Sequence, residues 1–234
     1  MFRSLLVASA LFALVGCSTQ PKPAMPKPVI KSIAIIPATD PSRYILENVS
    51  AVQFVIPLAA TFNYLDSKEK AKTFNDKLRS ERSTLASTFT EEMARALRAY
   101  GFEVQILSDV ARSSDEPDAI DYDKISSPAD AILHLRFTEV GLFSPRSSSN
   151  YIPRVNAYGT LVVKGREDYI YDQEIYYGVD SRKGKTWSIE SDEKFTYPTF
   201  DAVMSRLDEI RNAFDTGARE ISKRMSTQVR DSIK

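Results

Sequence analysis

The chain has 234 residues, with 31 basic and 31 acidic side chains, one histidine and one cysteine. Zero net charge argues against an electrostatic nucleic-acid binder, which needs an excess of Lys/Arg to displace phosphate counterions. A single cysteine excludes an intrachain disulfide and a multi-cysteine zinc site, a single histidine excludes a His-rich metal cluster, and 43% hydrophobic with 26% charged residues is the composition of a folded globular chain.

Arg3 followed by the apolar run Leu5 to Gly16 has the pattern of a secretory signal. The run is too short to span a hydrocarbon core of ~30 Å, which takes roughly 20 apolar residues. It ends in Leu14-Val15-Gly16-Cys17, and this motif resembles the lipobox of bacterial lipoproteins. The resemblance implies that residues 1–16 are a signal peptide. It also implies that Cys17 opens the mature chain, carrying a diacylglyceryl thioether and an N-acyl chain of the palmitate type, with no other cofactor. Several acyl chains, at about 0.8 kcal/mol per buried CH₂, anchor a protein more firmly than one. Ser18 in place of an aspartate resembles the sorting pattern for the outer membrane, with the domain facing the periplasm. Residues 17–28 carry Pro21, Pro23, Pro26 and Pro28 with Lys22 and Lys27 between them. Such a segment reads as a semi-rigid polyproline-II tether at ~3.1 Å per residue.

The first folded element is the β-branched run Val29 to Ile36, a buried strand ending at Pro37. Leu85, Phe89, Met93, Leu97 and Tyr100 then recur at helical spacing, and Gly101 is the expected stop. Phe74 and Leu78 extend this stripe back to near Ser67, so the spacing predicts one long helix through the charged segment Asp66 to Arg82. Alternation predicts strands over Phe102 to Leu107, Ala131 to Val140, Arg154 to Lys164 and Tyr169 to Tyr177, the last two joined as a hairpin by Lys164 to Asp168. Phe200, Val203, Met204, Leu207, Ile210, Phe214, Ile221 and Met225 form the stripe of a second long helix, with Thr199 as its cap. The expected class is α/β: one mixed, largely antiparallel sheet of about five strands with two long helices packed on it. Residues 29–234 form a single domain in this reading, with an insertion around 40–82.

The Ile35-Ile36-Pro37 strand end, the Tyr100-Gly101-Phe102-Glu103-Val104 helix exit and the Ala129-Asp130-Ala131-Ile132-Leu133 strand together resemble periplasmic lipoproteins with an anticodon-binding-domain-like fold. These include curli-secretion and exopolysaccharide-export lipoproteins and the N-terminal domain of the Tol-system β-propeller protein. The similarity covers roughly residues 30–165, implies a scaffold or assembly role and carries no catalytic motif.

Two segments are candidate interfaces. No charge falls between Glu47 and Asp66, a stretch holding Phe54, Val55, Ile56, Leu58, Phe62 and Tyr64 and interrupted by Pro57. It is either a core-lining segment or an apolar contact surface. The predicted hairpin carries Tyr169, Tyr171, Tyr176 and Tyr177, with Trp187 beyond it. Aromatic side chains with polar ends suit an interface, and they also suit an ordinary strand face.

Other motifs fail their context. The acidic run from Asp115 to Asp123 lacks the glycine and terminal glutamate of an EF-hand loop. Gly178 to Thr186 has one residue too many between its glycines for a phosphate loop and opens no apolar helix, so no nucleotide is expected. His134 shares a strand face with Ile132 and Arg136 and reads as structural, since no oriented nucleophile accompanies it. No catalytic residue and no metal ligand are assigned.

The function expected is a non-enzymatic interaction or assembly module, lipid-anchored in the envelope and serving a secretion, export or envelope-maintenance complex. Its partners would be the membrane, through the anchor, and an envelope protein or a second copy. The alternative is a lipoprotein that binds a lipid or small ligand, with residues 51–65 lining the pocket. An envelope hydrolase using a carboxylate pair is the least favoured reading.

Overall fold

The structure is a computed structural model. It describes residues 28–49, 57–145, 148–166 and 168–234, and of residues 57–65 the backbone alone. Cys17, the tether as far as Lys27, and Phe54, Val55 and Ile56 lie outside the described residues.

Among the described residues, seven strands form one sheet: β1 (Ser32–Ile36), β2 (Ile45–Asn48), β3 (Glu103–Ile106), β4 (Ala131–Ser144), β5 (Ile152–Val163), β6 (Tyr169–Gly178) and β7 (Ser188–Ile189). The helices are α1 (Pro57–Arg79), α2 (Leu85–Ala99), α3 (Phe200–Met204) and α4 (Leu207–Ile233). The strand order is β3-β1-β4-β5-β6-β7, with β2 beside β4. β1 and β2 lie one after the other along the same edge of β4, β1 on Ala131 to His134 and β2 on Gly141 to Ser144. Both are parallel to it, whereas β4, β5 and β6 form the long antiparallel meander.

The mixed α/β class stands. The expected strand number is corrected from about five to seven, and the long helices from two to three. β2 and β7 are four and two residues long, too short to show a hydrophobic period. The single helix expected from Ser67 to Tyr100 is two, α1 and α2, although no Pro or Gly separates them. The break is made by side chains. Asp40, from the loop after β1, accepts from the Ala86 amide at 3.0 Å and the Ser83 hydroxyl at 2.8 Å. Ser83 Oγ in turn accepts from the Leu85 amide at 3.2 Å. Free amides at the start of α2 are thus satisfied from a distant residue, while Thr84 makes no side-chain cap of its own. The stripe predicted as one helix from Phe200 is likewise split at Ser205 and Arg206 into α3 and α4. Thr199 caps α3 as expected, its hydroxyl accepting from the Ala202 amide at 3.1 Å.

α2 ends where the sequence places the stop. The Phe102 amide donates to Leu97 and the Gly101 amide to Arg98, with Gly101 at φ +93°. This paired closure needs a left-handed residue, which glycine supplies without a Cβ clash.

The core lies between the sheet and α2 and α4. Leu133, Leu135, Ala157, Leu161, Ile175 and Tyr177 point from the strands toward Phe89, Met93, Phe214, Ile221 and Met225. Phe74 and Leu78 of α1 reach the same core, so the segment read as an insertion contributes both a strand and a helix to it. At the other end of the sheet, Asp130 fastens β4 to β1. One carboxylate oxygen accepts from the Lys31 amide, the Ser32 amide and the Ser32 hydroxyl, each at 2.8 Å. These bonds stabilise the ionised form and hold the Asp130 carboxyl below its ordinary range.

Candidate functional site

β5 and β6 alternate, so one face of each packs under the helices and the other faces outward. On the helix side lie Val155, Ala157 and Leu161 of β5 with Tyr171, Ile175 and Tyr177 of β6, all buried. On the outer side lie Asn156 and Tyr158 with Asp172, Glu174 and Tyr176, which line a groove of about 720 Å³. Glu139, Asp180, Arg182 and Trp187 are among the residues of its walls.

Glu139 reaches this groove because β4 is irregular. The register slips between Phe137 and Glu139, so Phe137 and Val140 both stay on the helix side while Glu139 stands opposite Asn156. Strict alternation from Phe137 puts residue 139 among the helices, which is why sequence reasoning missed it.

The groove is built of carboxylates and rings. Among the described residues four carboxylates line it, Glu139, Asp172, Glu174 and Asp180, with the cation Arg182. Arg154, only 8% exposed, lies between two of these acids. Its guanidinium approaches Asp180 at 2.7 Å and Glu139 at 3.3 Å and covers the Phe143 ring at 4.3 Å. The other two acids make no ion pair among the described residues; hydroxyls hold them instead. Asp172 accepts from Tyr158 at 2.8 Å and from Thr160 at 2.9 Å. Glu174 accepts from Tyr176 at 2.6 Å and from Thr138. The bond to Glu174, with some burial, pushes the Tyr176 phenol up to about 12. Burial first, then Asp172, raises Tyr158. Both phenols therefore stay protonated and remain donors to the carboxylates near neutral pH. Tyr176 meets Trp187 edge-on at 5.3 Å, and Arg136 covers the back of Tyr158 at 4.2 Å.

Asn156 lies at the floor, 2% exposed. Its amide nitrogen donates to Asp180 at 3.0 Å and, more weakly, to Glu139 at 3.5 Å. Its carbonyl oxygen has no hydrogen-bond partner. A buried polar atom left unpaired carries a desolvation penalty.

The aromatic residues expected at an interface therefore separate. Tyr176 and Trp187 line the groove, and Tyr169 is 56% exposed at the start of β6. Tyr171 and Tyr177 are 5% and 1% exposed beneath the helices and offer no contact surface, which corrects their placement. Of the other candidate segment, Leu58, Phe62 and Tyr64 fall in α1, of which only the backbone is described at these positions.

His134 does not line the groove. It is fully buried on the same outer face of the sheet but nearer β1, under a cover of Tyr122, Ile120 and Ile125 around Ile36, Ile132 and Val162. Nδ1 is 3.1 Å from the Tyr122 hydroxyl. Burial, then the charges of Arg136 and Arg112, push its imidazole down to about 4, so it stays neutral near pH 7. This is a structural histidine. Among the described residues no group of three or more His, Cys, Asp and Glu side chains is placed to hold a metal ion.

No family model matches the chain, and no curated protein sequence matches it. Among solved structures, protein XCC0632 of Xanthomonas campestris, from the family DUF330, is similar at 9% identity and a TM-score of 0.39, over 92% of this chain and 94% of that one. Lipoprotein GNA1162 from Neisseria meningitidis is similar at 13% identity and a TM-score of 0.33, over 77% of this chain and 98% of that one. A Caulobacter crescentus protein provisionally described as a lipoprotein is similar at 11% identity and a TM-score of 0.35, over 65% and 86% of the two chains. All three overlaps are loose.

Proposed function

We propose that the protein is a lipid-anchored envelope protein whose domain works by binding another protein, without catalysis. The observation that carries this is the place of the only cysteine, at the end of an apolar signal-like run and at the head of a proline-rich tether. The structured domain supports it from the other side. Val29 is 79% exposed and Ile30 6% exposed, so the core begins where the tether ends. Among the described residues no helix is long and apolar enough to cross a membrane. In this reading membrane attachment falls to the acylated Cys17, and the location is the periplasmic side of the outer membrane. The groove on β5 and β6 is the surface offered to a partner. Its acids are held by hydroxyls and a buried arginine, in positions that suit recognition of a ligand.

The alternative, binding of a lipid, is less well served by this groove, because four carboxylates in its wall disfavour an acyl chain.

Cys17→Ser tests the anchor. The variant is expected to remain unprocessed and to lose its acyl mass and its outer-membrane fractionation. Normal maturation and partitioning of that variant would overturn the reading. Crosslinking in intact envelopes tests the binding role. A specific crosslinked partner is expected, and recovery of the monomer alone counts against it.

A further inference from the structure

β6 has a free edge beside the groove. β7 pairs with Tyr176 and Tyr177, and among the described residues the part of the strand N-terminal to them has no strand neighbour on that side. The Tyr176 amide donates outward, to the Trp187 carbonyl at 2.9 Å. Backbone direction repeats every second residue along a strand, so the amides and carbonyls of Glu174 and Asp172 face outward too. They make no backbone hydrogen bond on that side among the described residues. The side chains of these same two residues stand on the groove face. Open main-chain groups and carboxylates that make no ion pair among the described residues thus come from the same positions.

We propose that this edge and groove bind an extended segment of a partner protein with Lys or Arg at alternate positions, which adds to the sheet alongside β6. An added strand places its side chains directly across from those of β6 on the same face. Basic residues opposite Asp172 and Glu174 meet carboxylates already fixed by Tyr158, Thr160, Tyr176 and Thr138. Tyr176 and Trp187 supply ring faces for the cations and their methylene stems.

Charge also selects the occupant. A second copy pairing through this edge would place Asp172 and Glu174 against like charges, which is unfavourable. Carboxylates on an open edge are a known guard against self-pairing, and here the same guard selects a basic strand. The proline-rich tether is a poor occupant, since proline has no amide to donate to a ladder.

This inference rests on the binding role proposed above and names the partner's chemistry. Trp187 is the only tryptophan in the chain, so its fluorescence reports on the groove directly. The test titrates detergent-solubilised full-length protein with a synthetic alternating Lys/Val peptide. Three further titrations use a Glu/Val peptide, a Lys/Val peptide N-methylated at the edge-facing amides, and the Asp172→Asn/Glu174→Gln double variant. Expected are a saturable change in Trp187 emission with the Lys/Val peptide that weakens with salt, about fivefold to tenfold weaker binding by the double variant, and none by the N-methylated or Glu/Val peptides. No saturable binding of the Lys/Val peptide, equal binding of the Glu/Val peptide, or full binding of the N-methylated peptide each overturns the proposal. The Cys17 and crosslinking results do not depend on these titrations, so failure of the groove assignment is distinguishable from failure of the anchored-module reading.

Discussion

The two faces of the β5–β6 hairpin hold neighbouring residues under opposite conditions. Tyr171, Ile175 and Tyr177 are buried against the helices, while Asp172, Glu174 and Tyr176 line an open groove. The chain supplies both sets from one ten-residue strand, β6. One face carries dry packing, whose loss leaves a cavity; the other carries fixed acids and rings that water still reaches. The division of labour is that the covered face holds the fold and the open face remains available for recognition.

The sharpest way to break this comparison is a pair of truncations on β6. Ile175→Ala, at a fully buried position under the helices, is expected to lower stability by about 3 kcal/mol and the melting midpoint by roughly 6–12 °C. A loss below about 1 kcal/mol in urea unfolding would show that the covered face does not carry the fold.

The outer face itself is divided, and pH separates its two parts. His134, under the Tyr122 cover, has its imidazole pushed from 6.5 down to about 4. The unfolded chain therefore takes up this proton first as the solution becomes more acidic. The stabilisation from neutral His134 is fully present above about pH 6.5 and lost as the pH falls through 4, amounting to on the order of 3 kcal/mol. Replacing it by leucine, His134→Leu, removes that dependence. The stability difference between wild type and variant, followed by urea unfolding from pH 7 to pH 4, should shift in the variant's favour toward acid. A difference that stays constant with pH would place a charged or solvated histidine there.

The smallest effect belongs to the open groove. Tyr176→Ala is expected to cost less than about 1 kcal/mol, because the ring is only half-buried. It should nevertheless alter Trp187 emission, since it removes the edge-on partner at 5.3 Å. A stability loss as large as that of Ile175→Ala would make the groove part of the core and erase the contrast between the faces.

The sequence carried much of the fold, because periodicity is a local property. Five strands, the Gly101 stop and the Thr199 cap were all legible, and each depends on residues within a turn or two of one another. The breaks between α1 and α2 and between α3 and α4 were not legible. In the first, Asp40 acts on the start of α2 from 46 residues away, which no local pattern reveals. β2 and β7 were hidden by their length. Of the candidate site, the tyrosine cluster was visible but its division was not, because all four tyrosines look alike until the sheet has an inside.

By itself the sequence determined the α/β class, the neutral and mixed charge, and the place of the one cysteine, since these follow from residue identity and short-range spacing. Tertiary structure alone decided which face of β6 the helices cover, and with it the burial of Tyr171 and Tyr177 and the place of Asp172 and Glu174 in the groove. It also decided that Glu139 joins the groove, through one extra residue in β4. The physical reason is that an alternating strand defines two faces without stating which is inside, and a single bulge reverses the assignment beyond it.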